Sequence, residues 1–168
     1  MLRKICLLLA VIVMMGVVMS GSKARAETFY TSQKMAGVYL KFDLPDKMTA
    51  KEFYDHGLPY VVFKDHKTKS ECFYYLIFST EKKQIMGFAK TWARRNNLYI
   101  TEAEYTVWGI CLRGYTSRGG LVLIEGSIHS GISLNTWNVK FFIQSSKNEA
   151  DINRLLGVVN GFYYFRRP

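Results

Sequence analysis

Apolar and polar positions alternate along much of the chain after residue 37. "GVYLKFDLP", Gly37 to Pro45, sets Val38, Leu40 and Phe42 against Tyr39 and Lys41. That period of two predicts a strand with one buried face, ended by Pro45. "TAKEFYDHG" has Thr49 followed three residues later by Glu52, a capping-box spacing, and Gly57 at a natural C-cap. It is expected to form a helix of about two turns. "PYVVFKD" and "ECFYYLIFS" are β-branched or aromatic runs separated by a polar turn, and predict a hairpin over Pro59 to Ser79.

The period then changes. In Thr80 to Asn97 the apolar residues Ile85, Phe88, Ala89 and Trp92 follow helical spacing, with Lys82, Lys83, Lys90 and Arg94 on other faces. Leu98 to Thr116 reads as one long strand bent near Gly109, and "SRGG", Ser117 to Gly120, as a turn. "LVLIEGSIH" is the next strand. "TWNVKFFIQS", Thr136 to Ser145, alternates again, with Trp137, Val139, Phe141 and Ile143 inward and Asn138, Lys140 and Gln144 outward. A second capping box, Ser146 and Glu149, opens a C-terminal helix whose stripe is Ile152, Leu155, Leu156, Val159 and Phe162. Short turns between adjacent strands favour antiparallel pairing. The expected fold is α+β: a single, mainly antiparallel sheet of about six strands packed by about three helices.

The N-terminus follows a different pattern. Arg3 and Lys4 precede Ile5 to Met19, fifteen residues without a charge, and then "SGSKARA" ends in a small-x-small motif, Ala24-Arg25-Ala26. A charged start, an apolar middle and a small-residue exit describe a secretory signal peptide over residues 1–26. The apolar run is shorter than the about 20 residues a membrane span requires. Residues 27–168 then form a single compact domain, with no stable membrane span after cleavage. Export is to a periplasm or to the exterior.

Cleavage changes the charge. The whole chain has 23 Lys and Arg against 13 Asp and Glu, net +10; without Arg3, Lys4, Lys23 and Arg25 the balance is 19 against 13, net +6. The remaining cations are scattered, which suits a solvated basic surface, an anionic envelope component or an acidic protein partner. An exported chain is not expected to meet nucleic acid. Cys72 and Cys111 remain, either bridged between strands or buried as reduced thiols. No ligand spacing joins them to His56, His66 or His129, so neither metal nor cofactor is expected.

Catalytic readings are weak. Glu125, Ser127 and His129 share one strand face at about 6.6 Å spacing. Side chains at i and i+2 point in parallel, whereas a nucleophile and its base need about 3 Å. That face is expected to be solvated, as are Glu102 and Glu104. The chain is rich in rings, with eleven Tyr, eleven Phe and three Trp. Its C-terminal "NGFYYFRRP" combines Phe162, Tyr163, Tyr164 and Phe165 with Arg166 and Arg167, a basic and aromatic interaction patch. These features favour an exported, non-catalytic binding or accessory protein that engages a protein or envelope partner. The alternatives are a small exported hydrolase with one of the three histidines as base, or a carrier of a hydrophobic ligand between sheet and helices.

Overall fold

Strands account for most of the described residues. The computed structural model describes residues 26–128, 135–145 and 152–165. Within them lie ten strands: β1 (Glu27–Tyr30), β2 (Tyr39–Leu44), β3 (Met48–Asp55), β4 (Leu58–Asp65), β5 (Ser70–Phe78), β6 (Leu98–Tyr105), β7 (Gly109–Thr116), β8 (Leu121–Ile128), β9 (Thr136–Gln144) and β10 (Tyr163–Phe165). There are two helices, α1 (Lys82–Arg95) and α2 (Ile152–Asn160).

The strands form two antiparallel sheets. One has seven strands in the order β3-β4-β5-β9-β8-β7-β6, the other three in the order β1-β2-β10. The expected α+β fold with one sheet of about six strands and three helices is therefore incorrect; the fold is mostly β. The large sheet consists of two meanders, β3-β4-β5 and β6-β7-β8-β9, joined where β5 pairs with β9 along its whole length.

Four differences from expectation account for the correction, one of them β1, where no strand was expected. The segment expected as a helix after Thr49 is β3, paired with β4 from Met48↔Asp65 to Asp55↔Leu58. Its Glu52 makes no capping box; the carboxylate accepts hydrogen bonds from Ser32 N, Ser32 Oγ and Gln33 N. Gly57 is no helix cap: His56 and Gly57 have φ of 47° and 86°, the left-handed pair of a type I′ hairpin turn. The long strand expected over Leu98 to Thr116 is a hairpin, β6–β7, with Val107 and Trp108 at its tip. The aromatic tail after Gly161 leaves the helix and adds β10 to β2, Tyr163 opposite Lys41.

Both faces of the large sheet are covered near its centre. On one face, Leu40, Phe42 and Leu44 of β2 and Ile152, Leu155 and Val159 of α2 pack on Val61, Phe63, Cys72, Tyr74 and Phe142. On the other, Ile85, Met86, Ala89 and Trp92 of α1 pack on Tyr75, Leu112, Ile124, Val139 and Phe141. Trp92 stacks on Phe141 at 4.0 Å between ring centres, and its Nε1 donates to the Tyr75 hydroxyl at 2.9 Å. Each buried polar edge on a ring thereby finds a partner. At the margins of the two interfaces lie small clefts, one of about 350 Å3 between α1 and β6 and one of about 100 Å3 between α2 and β8.

The double cover also explains a misjudged strand. β9 is central, so Asn138, Lys140 and Gln144, expected outward, are buried with the rest of it. Among the described residues no helix is long and apolar enough to cross a membrane.

Candidate functional site

The expected site residues are scattered. Phe162 belongs to the core: its ring lies 5.8 Å from Phe42 and 5.7 Å from Tyr74. Its ring is half-buried against that core. Tyr163 and Tyr164 are exposed on β10, with Lys41 Nζ 5.6 Å from the Tyr163 ring. The Phe165 side chain, Arg166 and Arg167 lie outside the described residues, as do residues 1–25 of the expected signal peptide, His129 and the expected capping pair Ser146 and Glu149.

The cysteines are free thiols, not a bridge. Cys72 on β5 and Cys111 on β7 are separated by β9 and β8. Three inter-strand steps of about 4.8 Å place them beyond the about 7 Å a disulfide tolerates. Burial pushes both thiols up, Cys72 furthest; at Cys111 the neighbouring Arg113 opposes the shift. His56 is exposed in its turn, 3.5 Å from Asp55, and His66 is exposed with Nε2 3.1 Å from Thr49 Oγ1. His56 stands on open surface, whereas His66 lines a groove with Ser70 and Ser117, its ring nitrogen against the Thr49 hydroxyl. Among the described residues no three His, Cys, Asp or Glu side chains gather as a metal requires.

Glu125 has a partner that strand parity alone did not reveal. Cross-strand pairing aligns Glu104, Cys111, Glu125, Lys140 and Tyr74 in one row across five strands. Lys140 is 6% exposed; its Nζ donates to Asn160 Oδ1 at 2.7 Å and lies 3.7 Å from Glu125 Oε2. Next to it the Tyr74 hydroxyl donates to Asn138 Oδ1 at 2.6 Å. This cluster joins the C-terminal end of α2 to the sheet, and its polar atoms are directed at one another.

The surface that stands out lies at one end of the large sheet. There β3, β5, β6 and β8 end, β7 and β9 begin, and the large apolar side chains are exposed: Tyr54, Phe78, Tyr105, Val107, Trp108 and Ile128. Val107 is 81% and Trp108 79% exposed. Most apolar surface residues occur singly and need no explanation; several on one rim mark an interaction site.

The tip that carries Val107 and Trp108 is held firmly. Thr106 N donates to Gly109 O at 2.9 Å and Gly109 N returns to Thr106 O at 3.4 Å. Lys82, in the first turn of α1, donates to Thr106 O and Val107 O, both at 2.9 Å. Gly109 completes the clamp: a Cβ there would sit 1.8 Å from Gly126 O, so β7 approaches β8 as only glycine allows. A lysine thus satisfies the tip's carbonyls while its two apolar side chains face water. Around the rim, Lys82 and Lys83 are balanced by Asp55, Glu81 and Glu104, so the field there is mixed rather than basic.

Sequence reasoning missed this tip because Val107 and Trp108 continue a β-rich run. The signal was available: adjacent apolar residues before Gly109 break the alternation at a place where a hairpin can turn. No family model, curated protein or solved structure matches the chain.

Proposed function

We propose that the protein is an exported binding or accessory domain that docks a partner protein through the Val107–Trp108 tip and the apolar rim around it. One observation carries this reading: the most exposed tryptophan stands on a backbone fixed by Lys82, Gly109 and the Thr106–Gly109 pair. Trp is the side chain most enriched at binding hot spots. An anchor ordered before binding loses little entropy when it docks. The charge around the rim favours a protein over an anionic lipid surface, because Asp55, Glu81 and Glu104 would be repelled by the latter. Export rests on the N-terminal pattern, Arg3 and Lys4 before the apolar run and Ala24-Arg25-Ala26 after it.

The test is site-specific photocrosslinking in cells. A photoreactive residue replaces Trp108 in one strain and Arg118, at the other end of the sheet, in another. A discrete adduct from position 108 that is absent from position 118, and that is lost when Val107→Ser and Lys82→Ala are added, supports the reading. The same adducts from both positions, or none from 108, overturn it.

A further inference from the structure

At the end of the large sheet opposite the Trp108 rim lies a groove of about 790 Å3. Its walls are the β4–β5 turn, His66 to Lys69, and the β7–β8 turn, Ser117 to Gly120; its floor is the end of β9. From its position and chemistry we infer that this groove binds a phosphate monoester.

The argument begins with charge. Four cationic or titratable side chains line the groove: Lys64, His66, Lys69 and Arg118. Its two carboxylates are already neutralised. Glu71 pairs with Lys64 at 2.7 Å, and Asp65 pairs with Arg154 at 2.6 Å. Lys69 on one wall and Arg118 on the other have no ion-pair partner among the described residues. An anion that carries two charges can engage both walls at once. Arg presents a planar fork of donors suited to phosphate oxygens, and Lys a point charge.

The walls are also ordered before any ligand arrives. His66 N donates to Lys47 O at 2.9 Å, which ties the first turn to the β2–β3 connection. In the second turn Thr116 N donates to Gly120 O at 2.8 Å, and Gly120 N donates to Thr116 Oγ1 at 3.0 Å. Wall and floor meet where a Cβ on Gly120 would lie 2.1 Å from Gln144 O. Lys69 and Arg118 therefore project from fixed backbone across a gap large enough for a phosphorylated headgroup or a small phosphorylated solute.

An amide-resolved NMR titration of the purified chain tests this, with glycerol 3-phosphate and monomeric short-chain phosphatidic acid, both phosphate monoesters, as separate probes. Saturable shifts at Lys69, Arg118 and Gly119 are expected. Lys69→Glu and Arg118→Glu should each weaken them by at least about tenfold, through loss of one charge-assisted contact and gain of a repulsive one. Lys90→Glu, on the far face of α1, should leave them unchanged. Tighter binding of the lipid analogue identifies a membrane headgroup as the source, and tighter binding of glycerol 3-phosphate a soluble phosphate monoester; either upholds the proposal. Shifts that follow every lysine alike and survive both charge reversals, or no saturable shift, overturn it.

Discussion

Arg154 on α2 donates a 2.6 Å hydrogen bond to Asp65, whose side chain is fully buried at the end of β4. Its other arm donates to Asp46 O at 2.8 Å. One side chain thus attaches the helix to two connections of the sheet. Burial raises the Asp65 carboxyl, but the Arg154 hydrogen bond and charge, the Lys67 N–H and the Thr68 hydroxyl outweigh it and hold the group below the usual carboxylate range. A depressed carboxyl stabilises the fold above its unfolded value of about 3.9 and loses that contribution as pH falls through the folded value. Arg154→Met should cost about 2–3 kcal/mol at pH 7, the low end for a broken buried pair because Arg154 is partly solvated. Urea midpoints at pH 7 and pH 3 check this: the gap between variant and parent should narrow at the lower pH.

Lys140 and Glu125 should respond unequally. Glu125→Gln leaves a buried ammonium with Asn160 as its remaining close partner and should cost about 1–2 kcal/mol. Lys140→Met removes the buried charge and leaves Glu125 its own access to water, so stability should change by less than about 0.5 kcal/mol or increase. Equal losses in denaturant melts would contradict the arrangement.

The thiols provide a test of topology. Without reductant, the unfolded chain should take up alkylating reagent at both Cys72 and Cys111. In the native protein Cys111, half-buried, should react slowly and Cys72 not at all, since burial raises both thiols and only the thiolate reacts. Intact-mass spectrometry distinguishes these states, and an unmodified unfolded chain would reveal a bridge.

His56 occupies a left-handed conformation at φ 47°, next to Gly57 at 86°. Asn adopts this conformation more readily than His, and Asn-Gly is the preferred pair for a type I′ turn. His56→Asn should raise stability by about 0.5–1 kcal/mol, measured as an increase in Tm. A loss would show that the His56 ring makes a contribution beyond the turn.

Local pattern predicted elements in both halves of the chain. β4, β5, α1, β8 and β9 lie close to where alternation and helical spacing placed them. β3 was misread because Thr49 and Glu52 stand at capping distance by coincidence; Glu52 in fact satisfies the backbone of Ser32 and Gln33, twenty residues away. The same kind of long-range demand hid β1 and β10, short strands that exist because β2 lies between them. Lys140 was placed outward because its strand alternates, yet a central strand covered on both sides has no outer face. In each case a partner distant in sequence determined the outcome. Of the sites, the solvated character of Glu102 and Glu104 was legible, whereas the Trp108 tip depended on recognising a turn inside an apparently continuous strand.

The seam between the two meanders also governs how the chain must fold. Each meander can zip up from its own hairpins, but β5 and β9 join Ser70 to Gln144 and Phe78 to Thr136, pairings that close very long loops. Folding should therefore be slow for a chain of this size, and the seam should be the step that limits it. Truncating Phe142 at the seam or Val61 in the hairpin that precedes it should then slow refolding, with little effect on the unfolding rate. While that seam stands open, the inner edges of β5 and β9 are unpaired in the nascent chain, the interval in which it is most exposed to aggregation.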